Sequence, residues 1–501
     1  MIGQSLPEYI FIRICIFLLK LVAPASLFYL FLCLVTRQVF LYWLLPYAVL
    51  ESSFYVFVYL PRKERLQKSI HNAPPLDRAQ REALFVKCSQ RLSGAPDYPL
   101  GWFSSNDLKR ENVVEWILWA LFSCGPEDAQ ESWNNEIEIY VKKVEELTGM
   151  KLEKGRTALT SSLRLTLDRV NMSHRPFIWY TIVGLVDLIT CVRLYATGFK
   201  HYSPSVLGRV FPPRLLTLFS KPSVTEHISY CYRPHKSLNK DPVVFIHGIG
   251  IGLYPYVPFL KELIRTDPDM GILLIELVPI TMHITSNAIP PRREMLDALY
   301  TTMNSLGISR AVLASHSYGT VIAAHVIRDR DSASQSITKP LITGQLLVDP
   351  VCLLLHLPNV AFNFLYRVPR RANEWQLWYF ASQDPDIAYT LSRCFFWADN
   401  ILWKDDLVSE VQVAAEVARP KVAVILSGDD QIIPASAVQM YLTGEEEVKD
   451  RWSDGSLEVL YYPGLDHATV FDTKERRRGM IRVLDKFTSR SVDIDNGSLI
   501  R

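Results

Sequence analysis

Six short runs in the second half of the chain are apolar at nearly every position: VVFI (243–246), ILLI (272–275), AVLA (311–314), QLLV (345–348), VAVIL (422–426) and LEVLY (457–461). Successive side chains of a strand point to opposite faces, so a run without polar alternation must be covered on both sides. Segments with helical spacing lie between the runs, as in PRREMLDALYTTMNSL between the second and third. From about residue 224 onward this pattern predicts an α/β fold, a mostly parallel sheet flanked by helices.

Each candidate chemical group stands just past the carboxyl end of one of these runs, the edge at which open parallel sheets form their sites. LASHSYGTVIAA places Ser317 between the small residues Ser315 and Gly319, directly after AVLA and before a helical segment. That is the pattern of a nucleophile elbow, where strand and helix nearly touch at a sharp turn; Gly is the commoner residue at the place of Ser315. A plain helix cap is the simpler reading of such a serine. HGIG (247–250) follows VVFI, SGDDQIIP (427–434) follows VAVIL, and GLDHATVF (464–471) follows LEVLY. A serine hydroxyl is a weak nucleophile that needs a histidine base, and the base needs a carboxylate to fix its tautomer. The order Ser317, acid, His467 supplies all three.

With these motifs in this order, the region from about residue 224 to 487 resembles the α/β-hydrolase superfamily. The resemblance implies Ser317 as nucleophile, His467 as base and Asp430 of GDDQIIP as acid, with Asp349 of LLVDP as the alternative acid. It implies that the backbone N–H groups of Ile249 and Tyr318 form an oxyanion hole. It also implies a helical cap at about 356–419, rich in aromatics, over an apolar site suited to a lipophilic acyl or alcohol group. His247 is expected to shape its loop, and the side chain of His316 to point away from the nucleophile. A serine nucleophile disfavours the epoxide and alkyl-halide chemistry that the fold runs with aspartate.

Composition narrows the alternatives. Lys+Arg 54 against Asp+Glu 52 leaves a net charge of +2, without the basic excess of a nucleic-acid surface. The eight cysteines are scattered without CxxC spacing and read as buried thiols, neither a disulfide framework nor a metal site. No dinucleotide or phosphate-loop fingerprint accompanies the sheet, so no cofactor and no metal are expected. The function expected is a serine esterase or lipase-type hydrolase working through an acyl-enzyme. The alternatives are an acyltransferase or thioesterase with the same triad, or a membrane-tethered binding protein that kept the fold and lost turnover.

The N-terminus carries two long apolar segments, 14–35 and 39–60, each long enough to cross a bilayer core of about 30 Å as a helix. Residues 1–68 therefore read as a membrane anchor of one or two transmembrane helices, either a two-pass hairpin turning at Thr36–Gln38 or one span plus an interfacial helix. The basic segment PRKERLQK (61–68) favours a cytosolic exit, and with it an internal membrane such as the endoplasmic reticulum with a cytosolic catalytic domain. On this reading, removing residues up to Leu60 leaves turnover of a soluble ester intact. Residues 69–223 read as a helical extension. Its apolar segment 177–199 contains Asp187 and Arg193 and is expected to lie at the interface or in the core. The partners expected are a lipophilic ester and membrane lipid, with no nucleic acid. Two Asn-x-Ser/Thr sequons, at Asn171 and Asn496, read as unused.

Overall fold

The structure, a computed structural model, describes all residues except 1, 69–75, 91–97, 205–209, 216–218, 331–336, 409–410, 414–415, 419–420 and 491–501. Asn496 lies outside the described residues, as does part of the expected cap range. The strands, in chain order, are β1 (Lys200–Ser203), β2 (Val210–Phe211), β3 (Lys221–Pro222), β4 (Ser229–Arg233), β5 (Val243–Ile246), β6 (Ile272–Glu276) and β7 (Ile284–Thr285). They continue with β8 (Arg310–His316), β9 (Leu341–Val348), β10 (Val411–Val413), β11 (Glu416–Ala418), β12 (Lys421–Ser427), β13 (Arg451–Ser453) and β14 (Leu457–Tyr462).

Ten of these form one sheet in the order β13-β14-β12-β9-β8-β5-β6-β4-β1-β3. All six apolar runs lie in it side by side, and every pairing among them is parallel. β4 runs antiparallel to β6 and to β1 on its two sides. The alternation explains the composition of the runs. Val244, Ile246, Leu313 and Val424 face one hydrophobic cluster, while Val243, Phe245, Val312 and Ile425 face the other. From β5 the chain goes first to β6 on one side and later to β8 on the other, so the sheet has its switch point between β5 and β8.

The helices begin with α1 (Leu6–Thr36), opened by a capping box between Ser5 and Glu8. A turn at 37–44 leads to α2 (Leu45–Phe54), which runs without a break through a π-helical turn, Tyr55–Tyr59, into α3 (Leu60–Arg65). Among the described residues two helices, Leu6–Thr36 and Phe177–Tyr195, are long and apolar enough to cross a membrane. The second apolar segment, 39–60, is in contact with the rest of the protein along one face. Glu51 is fully buried and bonded to His174 Nε2 at 2.7 Å and to the Phe177 N–H at 2.7 Å. Further along, Tyr59 bonds the Met172 carbonyl, and Arg62 bonds Asp386 and the Thr285 carbonyl. One face of this helix is therefore sealed onto the rest of the protein, while Val49, Leu50 and Phe57 are bare.

The extension holds α4 (Arg78–Cys88), α5 (Arg110–Phe122), α6 (Asn134–Thr148) and α7 (Phe177–Tyr195). Trp102, Trp116 and Trp119 belong to the same buried cluster as Val244 and Leu313 of the sheet, so no packing boundary separates extension from sheet. The sheet itself begins at β1, ahead of the change in pattern at residue 224; β1 and β3 are short and carry polar or proline residues that mask their strand character. α7 buries Trp179, Val183 and Leu194, and Asp187 on it makes two bonds to Arg214, at 2.8 and 3.0 Å. α8 (Val257–Thr266) and the last helix, Lys474–Thr488, cover one face of the sheet; α9 (Arg292–Ser305) and α10 (Gly319–Arg328) cover the other. Short helices and π-helical turns between Asn359 and Val408 fill the gap between β9 and β12.

Candidate active site

Ser317 stands between β8 and α10 with φ of +51°, a left-handed conformation that a non-glycine residue rarely holds. The tightness of the turn explains its neighbours. A Cβ on Gly319 would lie 2.4 Å from the Ile246 carbonyl oxygen and 2.8 Å from that of His247, so only glycine fits where α10 touches the end of β5. A Cβ on Gly248 would lie 2.7 Å from Ser317 Cβ, which shows how closely the HGIG loop presses on the elbow. Ser315, the departure from the usual pattern, is fully buried with no hydrogen-bond partner for its hydroxyl.

The structure brings the three distant sequence candidates together. His467 Nε2 lies 2.8 Å from Ser317 Oγ, and its Nδ1 lies 2.6 Å from Asp430 Oδ2. The other oxygen of Asp430 accepts the backbone N–H groups of Ile432 and Ile433, which aims the carboxylate at the imidazole. Burial pushes the His467 imidazole down, but Asp430 beside it, with Asp349 and Asp466 nearby, outweighs that and lifts it to about 9.

Asp349 makes no hydrogen bond to His467. Its oxygens accept the Ser427 N–H at 2.8 Å, the Ser427 hydroxyl at 3.0 Å and the Ala468 N–H at 2.9 Å. It therefore ties the acid-bearing strand end to the loop carrying the base. Burial first, and then the charge of Asp430, push its carboxyl up.

Three further groups were not legible as site residues. Asp466 accepts the His467 N–H, the Gln431 N–H and side chain, and Asn373 Nδ2 of the cap, so it joins base loop, acid loop and cap. The acid next to the histidine in GLDHATVF was the only local signal for it. The Tyr256 hydroxyl accepts the Gly248 N–H at 3.1 Å and lies 2.8 Å from His316 Nδ1, linking the HGIG loop to the elbow. Burial holds His316 well below the ordinary imidazole range, so it is neutral and able to accept. Its Nδ1 faces Tyr256, and its ring lies 5.3 Å from that of His467. His247 is fixed between the Gly248 carbonyl and the Leu277 N–H, and shapes its loop as the sequence implied.

Ser317 opens into a pocket. Ile249 and Tyr318 line it beside the serine; the cap contributes Phe364, Leu365, Leu391, Phe395 and Trp397, and the extension adds Trp102, Trp119 and Leu165. The wall is thus almost wholly aliphatic and aromatic, with the serine hydroxyl at its base. Two groups of three residues, among those described, have spacing that could hold a metal: Asp349, Asp430 and His467, and His201, Cys231 and Glu276. Neither offers a free donor set. The first is spent on the bonds above, and in the second Glu276 is engaged by His201 and by the Arg214 guanidinium, whose charge opposes a cation.

The strand order, the reversed β4 and the elbow after β8 define this as the α/β-hydrolase fold. No protein-family model and no curated protein sequence matches the chain. Among solved structures it is similar to a membrane phospholipase A described as a bacterial virulence factor, at 11% identity over 62% of this chain and 93% of that one, TM-score 0.38. It is similar also to the naproxen esterase of Bacillus subtilis, at 11% identity over 61% and 98% of the two chains, TM-score 0.36. A hyperthermophilic esterase from the archaeon Pyrobaculum calidifontis matches at 13% identity over 61% and 90%, TM-score 0.36. At likenesses this distant, it is the strand order of the chain itself that defines the fold.

Proposed function

We propose that the protein is a membrane-associated serine hydrolase that cleaves carboxylic esters of lipophilic substrates. The observation that carries this reading is the bond of 2.8 Å from His467 Nε2 to Ser317 Oγ at the base of an apolar pocket. Ser317 Oγ attacks the ester carbonyl while His467 takes its proton and Asp430 stabilises the imidazolium. The Ile249 and Tyr318 N–H groups receive the negative charge that develops on the carbonyl oxygen, an effect worth about 10²–10³ in rate per donor. The alcohol leaves with the proton from His467, and water, activated by the same base, releases the acid from the acyl-serine. Direct bonding to His467 favours Asp430 over Asp349 as the acid. The apolar lining favours a long acyl or alcohol chain over a polar one. An internal membrane with the catalytic part on the cytosolic side remains the setting that PRKERLQK favours.

The test is labelling by a fluorophosphonate probe, which forms a bond to an activated serine. Wild-type protein is expected to label and Ser317→Ala to remain unlabelled while keeping its thermal transition. A wild-type protein that folds and does not label would point instead to the non-enzymatic binding reading. Labelling with no ester turnover would move the assignment to acyl transfer or thioester chemistry.

A further inference from the structure

Each of the three long apolar helical segments carries charged residues in its interior, and each of these is held by the globular body. On α1, Arg13 lies 3.9 Å from the centre of the Trp375 ring and Lys20 lies 4.8 Å from that of Trp378, both in the cap. On α2, Glu51 is bonded to His174 and to the start of α7. On α7, Asp187 pairs with Arg214, which reaches Glu276 at the end of β6. A spanning helix places its midpoint at the centre of a hydrocarbon layer about 30 Å thick. Setting any of these helices there would carry cap or sheet into the hydrocarbon with it, along with their buried polar groups.

The helix pair α1–α2 is also too short beyond the body to cross alone. Lys20 fixes α1 and Glu51 fixes α2, so beyond those points α1 keeps residues 21–36, about 24 Å, and α2 residues 45–50, about 9 Å, at ~1.5 Å per residue, both short of the layer. The outer faces are nonetheless bare and apolar: Phe17, Phe28 and Phe31 on α1, Phe57 after α2, Ile182 and Leu185 on α7. Tyr42 and Trp43, 78% and 74% exposed, sit in the turn, and these residue types gather at the lipid–water boundary. Exposed Arg37 at the end of α1 and Arg65 at the end of α3 supply positive charge suited to anionic headgroups.

We propose that the protein is monotopic. The outer faces of α1, α2–α3 and α7, with the turn at 37–44, dock into a single leaflet of a lipid bilayer, and no segment reaches the far side. This deepens the functional reading by giving its membrane contact a geometry; it rests on the claim that the protein meets lipid and is independent of the claim of catalysis.

The full chain, tagged at both termini, is synthesised into sealed microsomes with a flexible Gly/Ser insert carrying an Asn-Ser-Thr acceptor placed after Gln38. The acceptor is expected to remain unglycosylated and both tags to be digested by external protease. A glycan on the insert, or a protected tag, would show a crossing and overturn the proposal. In parallel, purified protein is floated with phosphatidylcholine vesicles containing phosphatidylserine. Wild type is expected to float, and the double variant Phe28→Asp, Phe31→Asp to stay behind with an unchanged thermal transition. A wild type that does not float, or a variant that loses self-association while flotation is unaffected, would assign the face to a second copy of the chain and equally overturn it. Failure of the catalytic reading would appear separately, as a folded and floating protein that a fluorophosphonate leaves unlabelled.

Discussion

His467 can act as a base only when neutral, and the carboxylates around it favour its charged form. Its protonation is raised from the ordinary value to about 9, so the neutral form is scarce near neutrality and increases as pH rises through that value. The expected outcome is a kcat/KM for a soluble short-chain ester that climbs from pH 6 toward pH 9 and falls away on the acid side, measured as a pH–rate profile of the free enzyme. The two buried acids divide the remaining work. Asp430→Asn removes the acceptor that fixes the imidazole tautomer and should lower kcat by about 10⁴-fold. Asp349→Asn turns an amide toward the N–H donors of Ser427 and Ala468; it should lower the thermal midpoint, with a smaller loss of kcat than Asp430→Asn. A larger kcat loss from the Asp349 variant would transfer the role of acid to that residue.

The elbow is a contact between elements, and its tolerance is set by backbone and not by side chains. Gly319→Ala puts a methyl 2.4 Å from a carbonyl of β5, so α10 must move and Ser317 with it; loss of probe labelling together with a lowered melting temperature is expected. Gly248→Ala meets Ser317 Cβ at 2.7 Å instead, and should displace the HGIG loop, lowering kcat more than it raises KM. These positions were legible in the sequence because strand, turn and helix signals for them are local, and so were the six apolar runs. What joins distant segments was not. Glu51 looks like a blemish in an apolar stretch until His174, 123 residues later, is seen to hold it. Asp466 and Asn373 lie 93 residues apart, and no local pattern pairs them. β1 escaped notice because KHYS has neither alternation nor an apolar run.

At the scale of the whole molecule the N-terminal helices are packed into the body. Ile12, Ile16, Phe54 and Tyr59 are all buried against cap or extension, and burial of such side chains is worth about 1.5–3 kcal/mol each. Removing residues 1–60 forfeits about 6–12 kcal/mol on that scale, comparable to the ~5–15 kcal/mol that holds a domain folded. The truncated protein is therefore expected to melt well below the full chain and to lose turnover of a soluble ester as well, contrary to the tether reading from sequence. Thermal melts and esterase assays on the two proteins check this; equal melting temperatures would restore the tether.

The stacking of Arg13 and Lys20 on cap tryptophans also sets a timetable for biosynthesis. Trp375 follows Arg13 by about 360 residues, so the ribosome, adding about 5–20 residues per second, delivers the partner some 20–70 s after the helix that needs it. Throughout that interval α2, made directly afterwards, can pack on the 31-residue helix, but the face that Ile12 and Ile16 set against the cap waits for its partner. Until the last third of the protein exists, that face is open to a targeting factor, a chaperone or a bilayer surface.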